Sequence, residues 1–304
     1  MARPSWQHIR ILSFLTPCLL ILCALQLEPR YFEGKKKLDW LVYMSVGGSE
    51  ESLKMMDFAI STLYWHQENT DIQTIVLIDP KLLSGLVEPH NRPSHVDFVP
   101  WESLIPTNSI RKRDKKVVSS MRKLEIFNAY PLIHQFKSVL YLDIDMVIVN
   151  SLKPLYKTVT SDAKKLHVVM ESPVSLEPYK NIFYSNLDYT DVEKKIMSTR
   201  PGFSAGLFAF VPSKEMEIHF DKVLQLVYEH KSEIHEFYEQ THMNKYFGLN
   251  SIVNESLSQY YTSQQEYNKT GTRVVLAHFP GANQELDLKY QRMKHFWKSF
   301  IDCI

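Results

Sequence analysis

Beyond its first forty or so residues, the chain alternates short apolar runs with stretches of helical periodicity. Trp40 to Val46 is an apolar strand stopped by Gly47-Gly48. The next segment sets Leu53, Met56, Ile60 and Leu63 at helical spacing, with Glu50 and Glu51 in the first turn, where a helix favours acid. Thr74 to Ile78 predicts a second strand closed by Asp79-Pro80, and Val96 to Val99 a third. A loop with Pro106 and the basic run Arg111 to Lys116 leads into a helix predicted over Val117 to Ala129. Lys137 to Val149 is the most apolar stretch of the body. Leu166 to Met170 and Phe203 to Val211 read as strands, Phe220, Val223, Leu224 and Val227 mark a helix, and Thr272 to Phe279 is a late strand. Pro173 to Arg200 is polar, aromatic and weakly periodic, which suits a long excursion beside a site. Alternating strands and helices predict a single α/β domain with a mostly parallel sheet covered on both faces.

A different pattern opens the chain. Ile11 to Leu27 carries no charge over 17 residues and follows Arg3 and Arg10. As a helix it would rise about 25 Å, the short end of a bilayer span. The expected organisation is a cytoplasmic tail (1–10), a transmembrane signal-anchor (11–27), a short stem (28–38) and the body (39–304). A cleaved signal peptide, with Leu22 and Ala24 as a poor cleavage signal, is the competing reading. Arg30 and Lys35 to Lys37 blunt the positive-inside rule and read as a solvated stem. The sequons at Asn254 and Asn268 would be glycosylated only if the body faces a secretory lumen.

Composition narrows the field. At 304 residues, 44% apolar with 9 Gly, the chain is globular rather than fibrous or disordered. Its 35 Lys and Arg against 34 Asp and Glu give no basic footprint for nucleic acid. Cys18 and Cys23 lie in the apolar N-terminal run and Cys303 beside the end, so the body has no pair for a disulfide and no thiolate set for zinc.

The chemistry concentrates in Tyr141-Leu142-Asp143-Ile144-Asp145-Met146-Val147-Ile148-Val149. In extended chain, positions two apart share a face, so Asp143 and Asp145 point together while Ile144 turns to the core. At the end of a buried strand such a pair costs several kcal/mol unless a cation or several donors compensate it. A hard divalent ion does so, since carboxylates suit Mn²⁺ or Mg²⁺ and leave coordination sites for phosphate. The plain alternative is a strand exit with solvated aspartates.

The run from Ser138 to Tyr156, with Tyr141-Leu142-Asp143-Ile144-Asp145 and Asn150-Ser151-Leu152-Lys153-Pro154-Leu155, resembles the core of the retaining family 8 glycosyltransferases, the glycogenin and bacterial galactosyltransferase group. The resemblance implies a Rossmann-like A-type glycosyltransferase domain in which Asp143 and Asp145 bind Mn²⁺, which holds the diphosphate of a nucleotide sugar. Further matches follow in order. Phe203-Ser204-Ala205-Gly206 is similar to the strand lining the donor sugar, with Ser204 where the family usually has Asn. Glu239-Gln240 with Met243-Asn244 resembles a helix whose acid binds sugar hydroxyls and whose Gln lies near the anomeric carbon. His278-Phe279-Pro280-Gly281 resembles a late motif in which the imidazole is the third manganese ligand and the Gly approaches phosphate. The family's Lys three residues on is Gln284 here, with Lys289 as a candidate replacement. Lys123 matches a cationic position that contacts the nucleotide.

Each of these residues also has a structural reading. Ser204, Ala205 and Gly206 suit close helix packing, Glu239 and Gln240 an exposed helix face, His278 a hydrogen-bonded core position, and Lys123 a surface helix. The functional expectation is a membrane-anchored, Mn²⁺-dependent enzyme transferring a hexose or pentose from a uridine-type donor to a glycan, protein or lipid. It would lie in the Golgi or ER membrane as a single-pass type II glycoprotein with a lumenal body. The rivals are a catalytically silent binding module and a sugar nucleotidyltransferase, for which Gly47-Gly48 is a weak phosphate loop. Donor sugar, acceptor and oligomeric state are not encoded in any pattern read here.

Overall fold

The computed structural model describes residues 38–69, 72–86, 94–105, 121–171, 189–198, 202–229, 238–263, 274–280 and 286–302. The apolar segment 11–27, the basic run 111–116, Asn268, Gly281 and Gln284 lie outside them. Among the described residues no helix is long and apolar enough to cross a membrane.

Among the described residues ten strands form two sheets. The larger has the order β3-β2-β1-β4-β7-β6-β8, and the smaller β5-β10-β9. In the first, β1 (Leu38–Val46), β2 (Gln73–Ile78), β3 (Val96–Pro100) and β4 (Phe136–Leu142) run parallel. β7 (Phe203–Phe210) is antiparallel to both β4 and β6 (Leu166–Met170), and β8 (Val253–Asn254) joins β6 in parallel. The sheet is mixed, with its parallel half N-terminal.

The helices are α1 (Glu50–Trp65), α2 (Lys153–Ser161), α3 (Asp191–Ser198), α4 (Lys214–Glu229), α5 (Tyr238–Leu249) and α6 (Leu286–Ile301). The periodicities read in α1 and α4 hold: Leu53, Met56, Ile60 and Leu63, and Phe220, Val223, Leu224 and Val227, are all buried. Two expectations change. Of the helix predicted over 117–129, residues 117–120 lie outside the described residues, and the rest is a 3₁₀ turn, Arg122–Glu125, running into one helical turn, Ile126–Ala129. Within the excursion predicted over 173–200, the described part contains α3.

β1 is buried on both faces, as central parallel strands are. Leu41 and Tyr43 join Tyr141, Phe208, Phe210, Phe220 and Phe247 on one side, while Trp40, Val42 and Met44 join Leu140, Leu142 and Leu207 on the other. A third cluster lies against the small sheet, where Val147, Ala277 and Phe279 meet Met55 of α1 and Met293 of α6.

The apolar run 137–149 is not one strand. β4 ends at Leu142, three residues follow, Asp143 and then a turn at Ile144 and Asp145, and β5 (Met146–Ile148) begins in the other sheet. Asp143 and Asp145 therefore occupy the crossing between sheets rather than one extended face. The sequon residue Asn254 is engaged: its Nδ2 donates to Asp162 Oδ2 at 3.0 Å and its Oδ1 accepts from Ser256 N at 3.0 Å.

A half-buried ion pair ties the C-terminal ends of β1 and β2. Arg122 Nη2 donates to Asp79 Oδ2 and its Nη1 to Val46 O, each at 3.0 Å. Burial acts to raise the Asp79 carboxyl, but the Lys81 backbone N–H and the guanidinium outweigh it and hold it below the ordinary value. A depressed carboxyl stabilises the fold above its unfolded pKa and loses that contribution as pH falls through the folded value. Asp79→Asn should thus cost about 1–3 kcal/mol at neutral pH. Denaturant titrations of wild type and variant should converge as pH drops below the usual aspartate range. A gap that persists in acid would refute this account.

Candidate functional site

Two ladders meet at the sheet crossing and fix its side chains. The β4–β7 register pairs Leu142 with Leu207, so the next backbone bond runs from Asp143 N to Gly206 O at 2.8 Å. The β5–β10 register pairs Met146 with His278 of β10 (Leu276–His278), and Phe279 N donates to Asp145 O at 3.0 Å. Each aspartate is thereby bound to a different partner strand.

Around Asp143 the arrangement is dense. Lys123 Nζ contacts Asp143 Oδ1 at 3.1 Å, Glu239 Oε1 at 2.7 Å and Ala205 O at 3.1 Å. It also lies 4.5 Å from the centre of the Tyr141 ring, whose hydroxyl donates to the same Asp143 oxygen. Lys123 is 1% exposed, so the surface-helix alternative is corrected. Burial alone would lower its pKa, but Asp143 and Glu239 overcome this and keep it raised. Burial and the Asp143 charge push Tyr141 well above the usual tyrosine value, keeping it a neutral donor.

β7 supplies backbone groups here because its pairing with β6 slips. Val168 pairs with Phe208, yet Val169 pairs with Ser204, which takes residues 205–207 out of that ladder. Such irregularities free backbone polar groups beside sites. Ala205 O accepts from Lys123, and Ala205 N donates to Gln240 Oε1 at 3.0 Å. Asn244, one turn on in α5, accepts from Phe203 N and donates to Phe203 O and Gln240 O, holding the helix against the strand. Glu239 and Gln240 therefore face the sheet and are not an exposed helix face. Ser204 Oγ accepts from Gly206 N at 3.3 Å, a local bond. Gly206 is fixed by space: a Cβ there would stand 2.7 Å from Asp143 Oδ2.

Around Asp145 the partners come from the end of the chain. Lys289 Nζ of α6 donates to Oδ2 at 2.7 Å, and His278 Nε2 lies 3.4 Å from Oδ1. Burial acts to raise the Asp145 carboxyl, but His278 and Lys289 hold it well below the ordinary value. On its other side, His278 Nδ1 is hydrogen-bonded to Tyr261 Oη at 2.6 Å, from β9 (Tyr261–Ser263) beside β10. Glu171, at the end of β6, is pushed up by burial and partly offset by the field of His278.

Sequence reasoning missed Glu171 and Tyr261, which carry no motif. It could not say whether Lys289 reaches the site, because seven residues and a helix start separate it from Gly281, the end of the quoted motif. Lys123, Asp143, Gly206, Glu239 and Gln240 come together, as do Asp145, His278 and Lys289.

Whether a divalent cation suits this site turns on Asp145 Oδ1, which is buried and has no hydrogen-bond partner. Donors in adjacent positions about 2.1 Å from a cation stand about 3 Å apart, close to the 3.4 Å between this oxygen and His278 Nε2. The pair fits an oxygen- and nitrogen-binding cation, and Tyr261 orients the imidazole as an outer partner does. Asp143, by contrast, is occupied by Lys123 and Tyr141. Among the described residues, no three His, Cys, Asp or Glu side chains stand as a ready metal set. Three carboxylates, Asp143, Asp145 and Glu239, face two ammonium groups and the His278 imidazole.

No family model and no curated protein matches the sequence. Solved structures do. The galactosyltransferase LgtC in complex with donor and acceptor sugar analogues superposes with a TM-score of 0.56 at 16% identity, covering 86% of this chain and 95% of that one. An active-site Gln-to-Glu mutant of LgtC gives 0.55 at 16%, with the same coverage. The bifunctional glycosyltransferase WbbM gives 0.54 at 14%, covering 87% of this chain and 52% of its own. The chain has the fold of these glycosyltransferases.

The Gly206 contact yields a test. Gly206→Ala should lower the unfolding free energy by about 1–3 kcal/mol, since the added methyl displaces a carboxylate held by Lys123 and Tyr141. In an Asp143→Ala background the same change should cost little. Equal costs in both backgrounds, by denaturant melts, would contradict the close approach.

Proposed function

We propose that this protein is a glycosyltransferase that moves a hexosyl or pentosyl unit from a nucleotide-diphosphate sugar, of the uridine type, to a glycan, protein or lipid acceptor with retained anomeric configuration. One observation carries the reading: a late-chain imidazole, His278, faces the orphaned Asp145 oxygen on a fold shared with LgtC and WbbM. A silent binding module is the second reading, favoured by the lysines already paired with both aspartates.

In the catalytic reading Asp145 and His278 hold a divalent cation, Mn²⁺ or alternatively Mg²⁺, with Asp143, two residues away, as the third ligand. When bound, the cation neutralises charge on the leaving diphosphate. Lys123 draws Asp143 and Glu239 together on one ammonium, which places the carboxylate oxygens it does not contact towards sugar hydroxyls and the cation. The backbone of Ala205 fixes the Gln240 amide beside β7. An amide is a poor nucleophile, and Glu239 is committed to Lys123, so acceptor attack on the face of the leaving phosphate suits the site better than a covalent intermediate. Ser204 and Gly206 line the donor in this proposal. The excursion predicted over 173–200, which follows Glu171 in the chain, is the segment to which acceptor choice is assigned in this proposal.

The apolar run 11–27 supports a membrane anchor, and with it a type II orientation in the Golgi or ER. No nucleic-acid role is proposed.

Incubating the purified protein with a panel of UDP-sugars and Mn²⁺ should release UDP for at least one donor. Asp145→Asn and His278→Ala should each reduce that release by about 100-fold or more, the scale for losing a group that stabilises leaving-group charge. Donor binding without UDP release by wild type, across the panel and with acceptor glycans present, would favour the silent module.

A further inference from the structure

Lys289 is placed where a helix would not choose a cation. It is the fourth residue of α6, inside the first turn, where the exposed N–H groups and the helix dipole repel positive charge. Nevertheless it is 7% exposed, and its ammonium reaches across the fold to Asp145 Oδ2 at 2.7 Å. Neither solvation nor its own helix accounts for that position; Asp145 does.

The two oxygens of Asp145 are thus divided. Oδ2 is claimed by an ammonium, while Oδ1 is buried, without a hydrogen bond, and faces His278 Nε2 at 3.4 Å. A divalent cation between Oδ1 and Nε2 and an ammonium on Oδ2 would share one carboxylate at close range in a largely dry setting, where like charges repel strongly. The lysine is the mobile partner, on a four-carbon stem, whereas Asp145 and His278 are pinned by the β5–β10 ladder.

We propose that Lys289 is an exchangeable counter-ion: it neutralises Asp145 in the cation-free protein, leaves when a divalent cation binds there, and then serves as a positioning cation for the donor diphosphate. This rests on the donor-site reading above and adds a coupling to it. Cation binding is weakened by the ammonium it must displace, and diphosphate binding is strengthened by the ammonium released. The site therefore takes the two ligands together more readily than either alone, the reciprocity that linkage requires.

Full-length wild type, Lys289→Met and Lys289→Arg separate these effects. Calorimetry with Mn²⁺ alone should show Lys289→Met binding about tenfold or more tightly than wild type, and with UDP at saturating Mn²⁺ about tenfold more weakly. Lys289→Arg should follow wild type in both. A purely structural lysine would weaken both ligands together in Lys289→Met, and that result overturns the proposal, as does unchanged Mn²⁺ affinity. Wild type alone supplies a second measurement: amine acylation followed by peptide mass spectrometry should label Lys289 faster once Mn²⁺ is added, and slower again with UDP. Labelling indifferent to Mn²⁺, in protein that calorimetry shows to bind it, overturns the proposal and leaves the donor-site reading standing. If neither wild type nor Lys289→Met binds Mn²⁺ or UDP, the donor-site reading itself falls, and this proposal with it.

Discussion

Carboxylates placed at the join of two sheets must be neutralised, and the architecture around the site follows from that requirement. Asp143 and Asp145 sit at the point where the chain leaves the large sheet for the small one, on an otherwise apolar run. Each obtains a lysine from elsewhere in the chain: Lys123 from the 3₁₀ turn between β3 and β4, and Lys289 from α6. Burying a lysine is itself costly unless it is fully paired. Lys123 meets that condition with Asp143, Glu239, a carbonyl and an aromatic face; among the described residues Lys289 has a single carboxylate oxygen. The difference marks one as fixed and the other as exchangeable.

Backbone geometry does as much here as side-chain charge. The slip between β6 and β7 exposes Ala205 to Lys123 on one side and Gln240 on the other, so one residue, through its N–H and its C=O, links the 3₁₀ turn, the sheet and α5. Gly206 follows at once, because only a residue without a Cβ lets β7 lie against Asp143. Small residues in that strand, which packing alone would explain, are also what the carboxylate demands.

Much of this was legible in the sequence. The helical spacing of Leu53, Met56, Ile60 and Leu63 and the apolar strands declare themselves through local periodicity, and the structure places them accordingly; the aspartate pair is legible as a motif, but it lies at the crossing between sheets and not on one extended face. The strand-to-turn change at Leu142 was not legible, because 137–149 stays apolar across it; nothing in the residues distinguishes one long strand from two short ones in different sheets. The antiparallel direction of β7 was hidden for the same reason, since a strand buried on both faces has no alternation to read. Tyr261 and Glu171 belong to the site only through strand neighbours far away in sequence. Lys289 looked like an ordinary helical lysine, and only its partner distinguishes it.

The crossing between β4 and β5 also limits how this chain can vary. Leu142 and Met146 are each locked in register, one to β7 and the other to β10, with three residues between them. Inserting or deleting a single residue there would invert the side-chain facing of one strand or the other. Substitutions at the site can be compensated by neighbouring groups, but a change in length cannot. Relatives of this fold should therefore diverge in their peripheral segments while keeping this short span at constant length.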